Sequence, residues 1–145
     1  DYIAKEHGEE GMFATLFFGV LDPQSGSMAY VNGGHEPVII VNHGRIIKKL
    51  QTTGPAVGMM PESEYKTDLV QIEPGDILIG YTDGVTEALS SNKELYSRAR
   101  LISILESPAH TASKLIEQIK IDLLKYIDDA PQSDDITMFA VRRKH

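Results

Sequence analysis

Short runs of β-type residues alternate with turn chemistry along the first half of the chain, and this punctuation constrains the fold more than any other feature. Residues 12–21 are rich in Phe, Thr, Val and Leu; Asp22-Pro23-Gln24-Ser25-Gly26 supplies a turn before a second run over 27–32. The pattern predicts a hairpin. Gly33-Gly34-His35-Glu36-Pro37 then breaks it, and residues 38–41 and 45–50 form another hairpin around Asn42-His43-Gly44. A Gly/Pro/Met-rich connection over 52–61 leads to an alternating strand over 65–72. Glu73-Pro74-Gly75-Asp76 turns it into a strand that runs through Ile77-Leu78-Ile79-Gly80-Tyr81-Thr82. Tight turns between short strands specify antiparallel pairing.

The periodicity then changes. Residues 84–90 read as one short helix, with Asp83 near its N-terminus, where a negative charge favours the helix dipole, and Glu87 one turn on. A second helix is expected over 96–105 and a third over 111–126, where Leu115, Ile119 and Leu123 recur at spacing four and Ile116 and Ile127 flank the stripe. Residues 128–133 read as a loop and 136–141 as a final strand. Antiparallel strands followed by helices make an α+β fold. Without repeats, low-complexity tracts or a linker, residues 1–145 read as a single domain.

Composition removes several classes of function. The chain lacks cysteine, which excludes disulfides, zinc–thiolate sites and a cysteine nucleophile and suits a reducing cytoplasm; any metal must use oxygen or imidazole donors. Fourteen basic against 21 acidic residues, a formal charge of −7, oppose broad nucleic-acid binding but permit cation binding. No apolar run approaches the roughly 20 residues of a membrane span, so membrane contact is not expected. With 145 residues, 41% of them hydrophobic, the chain has enough material for a normal core.

Two strand ends carry carboxylates: Asp83-Gly84 follows the run ending at Thr82, and Asp134-Asp135 precedes the run over 136–141. The 51 positions from Asp83 to Asp134 suffice for two helices and a return to the same sheet edge, so the pair suggests one shared site. Hard divalent cations such as Mg²⁺ and Mn²⁺ prefer carboxylate and water oxygens. Two such ions about 3.5–4 Å apart can activate water and neutralise phosphoryl oxygens, which is phosphoester hydrolysis. Equally, Asp-Gly is a common turn, an Asp before a helix is a common cap, and adjacent Asp residues at a strand entry occur as solvated loop ends.

The flanking residues carry a more specific signal. Tyr81-Thr82-Asp83-Gly84-Val85-Thr86-Glu87-Ala88, preceded by Pro74-Gly75-Asp76-Ile77-Leu78, resembles the signature of bacterial SpoIIE-like serine phosphatases, a branch of the PPM (protein phosphatase 2C-like) metal-dependent phosphatases. Met12-Phe13-Ala14-Thr15-Leu16-Phe17 through Leu21-Asp22, Tyr30-Val31-Asn32-Gly33-Gly34-His35-Glu36-Pro37, and Ser133-Asp134-Asp135-Ile136-Thr137 agree in order and spacing. The resemblance implies a β-sandwich of antiparallel sheets flanked by helices, with a centre for two Mn²⁺ or Mg²⁺ ions at one end between the sheets. It implies Asp83 and Asp134 as metal ligands, Asp135 as a neighbour that orients waters or ligands, and Gly84 as the residue that lets backbone approach the site.

Glu87 falls where related phosphatases place an acidic residue near the metal waters, against the plainer reading of an exposed helix charge. His35 is a candidate proton donor to the leaving serine oxygen, against a turn histidine bonded to backbone; Asn32 reads as a structural turn residue. Residues 52–58 match the family's connection ahead of the metal-bearing strand. The implied reaction is hydrolysis of a phosphoserine or phosphothreonine on a regulatory protein through a metal-activated water. By analogy that protein is an anti-sigma-factor antagonist.

One departure stands out. SpoIIE-like domains carry an Asp-containing, glycine-rich segment upstream of the strand that matches residues 12–17, and this chain opens at Asp1 without Met and without that segment. The expectation is therefore an N-terminally truncated domain, poorly active alone, that self-associates through exposed sheet edges. The alternative is a non-catalytic interaction module that keeps a phosphatase-like fold.

Overall fold

A computed structural model describes residues 12–144. Its contacts divide the chain into two compact units, Asp1–Pro37 with Leu50–Glu73 and Val38–Lys49 with Pro74–His145. In the first unit, β1 (Leu16–Leu21), β2 (Ser27–Gly33) and β5 (Asp68–Gln71) form a sheet in the order β1-β2-β5, both pairs antiparallel. The β1–β2 hairpin closes through Asp22, whose carbonyl accepts from the Gly26 N–H at 2.8 Å, while Gly26 takes the left-handed φ of 80° that its turn requires.

Two strands of this sheet are shorter than their apolar patterns predict. Ala14 bridges to Val57 across 2.8 Å hydrogen bonds in both directions, so β1 begins only at Leu16. The Lys66 N–H likewise turns to the Thr53 carbonyl, leaving only Asp68–Gln71 to pair with β2. Asn32 knots this end of the sheet. Fully buried, it accepts at Oδ1 from the His35 N–H (2.8 Å) and donates from Nδ2 to the Leu50 carbonyl (3.2 Å), while its backbone N–H donates to Thr53 Oγ1 (3.0 Å) and its carbonyl accepts from the Thr53 N–H (2.8 Å). The structural role expected of Asn32 is what its contacts describe.

The second unit carries the sheet β4-β3-β6-β7, from β3 (Val38–Asn42), β4 (Arg45–Leu50), β6 (Ile77–Tyr81) and β7 (Met138–Arg142). His43 and Gly44 both have positive φ, 47° and 73°, the type I′ geometry that matches a two-residue hairpin to strand twist. Every residue of β6 is buried, and so are Val38 to Val41 of β3, which is why these strands read as unbroken apolar runs. One face of each, Ile39 and Val41 with Ile77, Ile79 and Tyr81, joins the core beneath the helices.

Three helices follow β6: α1 (Asp83–Thr86), α2 (Arg98–Leu105) and α3 (Ala112–Ile127). α3 buries the predicted stripe, Leu115, Ile119 and Leu123, against the sheet together with the flanking Ile127, and its N-cap Thr111 accepts from the Lys114 N–H at 3.1 Å. α1 stops at Thr86, short of the expected 84–90, because the Thr86 carbonyl accepts from the Ser97 N–H while the Ser90 N–H is drawn to the Glu94 carbonyl. Residues 88–96 thereby fold back as a small loop with Leu89 bridged to Leu95. α2 starts at Arg98 rather than at 96, since Ser97 caps it and the Tyr96 N–H bonds to Ala88.

Arg100 fastens α2 to α3. Its guanidinium makes two bonds to Asp122 (2.8 and 3.1 Å) and lies 4.6 Å from the Tyr126 ring centroid and 5.5 Å from that of Tyr96. This pairing holds the Asp122 carboxyl below its ordinary value. Burial, reinforced by a 2.8 Å bond to Asp122, pushes the Tyr96 phenol well above its own.

Candidate functional site

The register of β6 against β7 builds the site. Tyr81 pairs with Met138, and each step outward brings the chain beyond β6 opposite the chain that enters β7. Extended by one residue, the antiparallel register sets Thr82 across from Thr137; extended by three, it sets Gly84 across from Asp135. The hydrogen bonds follow that extension: the Thr82 N–H donates to the Thr137 carbonyl at 3.0 Å. Asp83-Gly84 and Asp134-Asp135, far apart in sequence, thus meet because their strands are sheet neighbours.

The approach at Gly84 is close. A Cβ built on Gly84 would overlap the Asp135 carbonyl oxygen and lie 3.0 Å from its carbonyl carbon and 3.5 Å from Asp134 Cβ. Gly84 is buried within α1 with an ordinary helical backbone, so its lack of a side chain serves proximity rather than an unusual φ. Asp83, the first residue of α1, accepts the Gly84 N–H at Oδ1 (3.0 Å), and Asp134 accepts the Asp135 N–H at Oδ1 (2.7 Å). Asp83, Asp134 and Asp135 are all exposed. Gln132 steadies the second segment by donating to the Asp134 carbonyl at 2.7 Å.

Thr82 was not among the sequence candidates, yet it touches both segments. It occupies the N-cap position of α1 without capping it. Its Oγ1 donates to the Asp135 carbonyl (3.1 Å) and accepts from the Thr137 N–H (3.1 Å). A β-branched hydroxyl placed at a strand end beside a second threonine in the partner motif was the available signal.

Glu87 ends α1, its N–H donating to the Asp83 carbonyl at 2.8 Å, and its carboxylate is exposed. His35 belongs to the first unit, where its N–H donates to Asn32 and its ring Nδ1 lies 2.8 Å from the Glu36 carbonyl. A carbonyl only accepts, so this contact places a proton on Nδ1.

The donor chemistry is that of a hard cation: carboxylate oxygens from two segments. Mg²⁺-type ions bind through one or two carboxylates and retain water, and Asp83 with Asp134 fits that requirement. Among the described residues, no three His, Asp or Glu side chains converge into a fuller cage.

The profile of the family described as Stage II sporulation protein E (SpoIIE) matches residues 1–144. The chain is 52% identical over 143 residues to Protein IcfG of Synechocystis sp., covering 99% of this chain and 23% of that protein. It is 27% identical over 143 residues to phosphoserine phosphatase RsbU of Bacillus subtilis, covering 98% of this chain and 42% of RsbU. Among solved structures, the Mn-presoaked phosphatase domain of B. subtilis SpoIIE superposes with a TM-score of 0.68 at 20% identity, over 90% of this chain and 57% of that one. The chain therefore spans less than half the length of these two relatives, while its fold is that of the SpoIIE phosphatase domain.

Proposed function

We propose, for a chain that belongs to the SpoIIE family of PP2C-type serine phosphatases, that its protein hydrolyses a phosphoserine or phosphothreonine monoester on a regulatory protein. The observation that carries this reading is the meeting of Asp83-Gly84 with Asp134-Asp135 at the ends of β6 and β7, in a family that includes a phosphoserine phosphatase. Asp83 and Asp134 would hold Mn²⁺ or Mg²⁺, with further ligands from outside the described residues. Manganese was soaked into the related SpoIIE domain, which supports that choice. Bound there, the cations would acidify a water and neutralise phosphoryl oxygens.

The chain's own contribution is positional. Gly84 admits the Asp135 backbone, the two carboxylates face solvent where a protein-borne phosphate can reach them, and Asp135 and Glu87 supply acceptors for ordered water. His35, with its Nδ1–H committed to the Glu36 carbonyl, keeps Nε2 for proton exchange. An anti-sigma-factor antagonist is the substrate that family analogy supports, in a cytoplasmic setting. No helix among the described residues is long and apolar enough to cross a membrane. Self-association belongs to the same reading: β1 is the outer strand of its sheet and exposes Leu16, Phe18 and Val20.

Phosphate release from a phosphoserine protein by the full-length protein with Mn²⁺ tests the proposal. Asp83→Asn and Asp134→Asn should each lower the rate by at least about 100-fold; unchanged rates would remove the assignment. A second reading, an interaction module without catalysis, draws on the absence of a three-ligand group among the described residues. It predicts no carboxylate-dependent turnover in the wild type.

A further inference from the structure

We propose that Thr82 is a positioning residue whose hydroxyl sets the spacing between the Asp83 carboxylate and the Asp134-Asp135 segment. An N-cap threonine ordinarily turns its oxygen back to accept an N–H of its own helix. Thr82 has the extended backbone of such a cap, φ −84° and ψ 161°, yet its side chain makes no capping bond. The hydroxyl spans instead to the neighbouring strand, donating to the Asp135 carbonyl and accepting the Thr137 N–H, both at 3.1 Å. With the backbone bond from Thr82 N–H to the Thr137 carbonyl, three hydrogen bonds join one residue to the segment that carries Asp134 and Asp135.

These bonds act where the strand ladder has ended. β7 begins at Met138, so residues 134–137 are not held by regular pairing, and Asp134 and Asp135 are exposed. The Asp135 carbonyl that Thr82 grips is the same group that abuts Gly84. The hydroxyl draws the segment inward while the bare Gly84 backbone limits how far it can come. Asp83 is covalently next to Thr82 and Asp134 next to Asp135, so releasing this clasp changes the distance between the two carboxylates without removing either.

The inference rests on the cation-binding reading above, and the test separates the two. Mn²⁺ affinity is measured by calorimetry, with urea unfolding in chelator as the stability control, on wild type, Thr82→Val and Thr82→Ser. Valine keeps the shape and removes the hydroxyl; serine keeps the hydroxyl. Thr82→Val should weaken Mn²⁺ binding by about tenfold or more, and Thr82→Ser should return it to within about threefold of wild type, on the scale of a single hydrogen bond. If the wild type binds Mn²⁺ and Thr82→Val binds it equally well, the role of Thr82 is overturned while the cation site stands. If serine fails to rescue, the hydroxyl is not the operative group and the proposal falls. A wild type that binds no Mn²⁺ refutes the cation reading itself and with it the role assigned here. A metal-free arm reads the clasp directly: the Thr137 amide proton should exchange faster in Thr82→Val than in wild type or Thr82→Ser, and equal rates would overturn the clasp.

Discussion

Replacing Gly84 by alanine isolates the close approach on which the site depends. The added carbon would lie 3.0 Å from the Asp135 carbonyl carbon, closer still to its oxygen. Carbon atoms in contact sit at about 3.5–4.0 Å, so the 134–135 segment must retreat by about 0.5–1 Å. Overpacking of this kind costs about 1–3 kcal/mol. The retreat also stretches the 3.1 Å bond from Thr82 Oγ1 to the Asp135 carbonyl, at a further cost of about 1 kcal/mol. Alanine's better helix propensity returns about 1 kcal/mol, leaving a net destabilisation of about 1–3 kcal/mol. Urea unfolding reads this as a midpoint lowered by about 0.5–1.5 M for a slope near 2 kcal/mol/M. Gly80→Ala provides the contrast. Its new carbon also meets an obstacle, Phe139 Cδ1 at 3.0 Å with the ring tip nearer, but that ring is 43% exposed and can swing aside. Gly80→Ala should cost about 1 kcal/mol or less. A Gly84→Ala variant as stable as wild type, or less affected than Gly80→Ala, would refute the reasoning.

Asn32→Ala should lower stability by about 2–4 kcal/mol, because it strands the Leu50 carbonyl in a buried setting and the His35 N–H in a partly buried one; chemical denaturation checks it, and a change below about 1 kcal/mol would contradict the knot described for that residue. Asp122 contributes through a folded-state value depressed by Arg100. Its contribution is present above the unfolded carboxyl's pKa and is lost as pH falls through the lower folded value. The stability advantage of wild type over Asp122→Asn should therefore be full at neutral pH and shrink below about pH 4; an advantage that persists unchanged at pH 3 would be contrary to this account.

Much of the architecture was legible because turn chemistry and periodicity acted locally. β4 spans the predicted residues, the His43-Gly44 turn takes the positive φ values its sequence invites, and α3 buries the stripe read from its spacing. The misreadings arose where a backbone group found a partner far away in sequence. α1 ends early because Thr86 bonds to Ser97, and β5 is trimmed because Lys66 bonds to Thr53. Propensity along the chain holds no record of either bond.

The candidate site divides in the same way. Asp83, Gly84, Asp134 and Asp135 were visible as acidic strand ends within motifs, and their meeting followed once the β6–β7 register was known. The proximity demanded of Gly84 and the diversion of Thr82 from capping to cross-strand bonding depend on distances of a few ångströms, which no sequence spacing encodes. The edges show a related tension: β1 exposes apolar residues, whereas β4 carries Arg45, Lys48 and Lys49, charges that discourage further strand pairing.

The central claim is that the carboxylates gathered at the ends of β6 and β7 bind a divalent cation. Calorimetric titration of the full-length protein with Mn²⁺, beside Asp83→Asn and Asp134→Asn variants of unchanged fold, tests it most directly. The account predicts saturable binding in the wild type that is lost, or weakened by at least about 100-fold, in each variant. Equal binding in all three proteins, or none in the wild type, would contradict it.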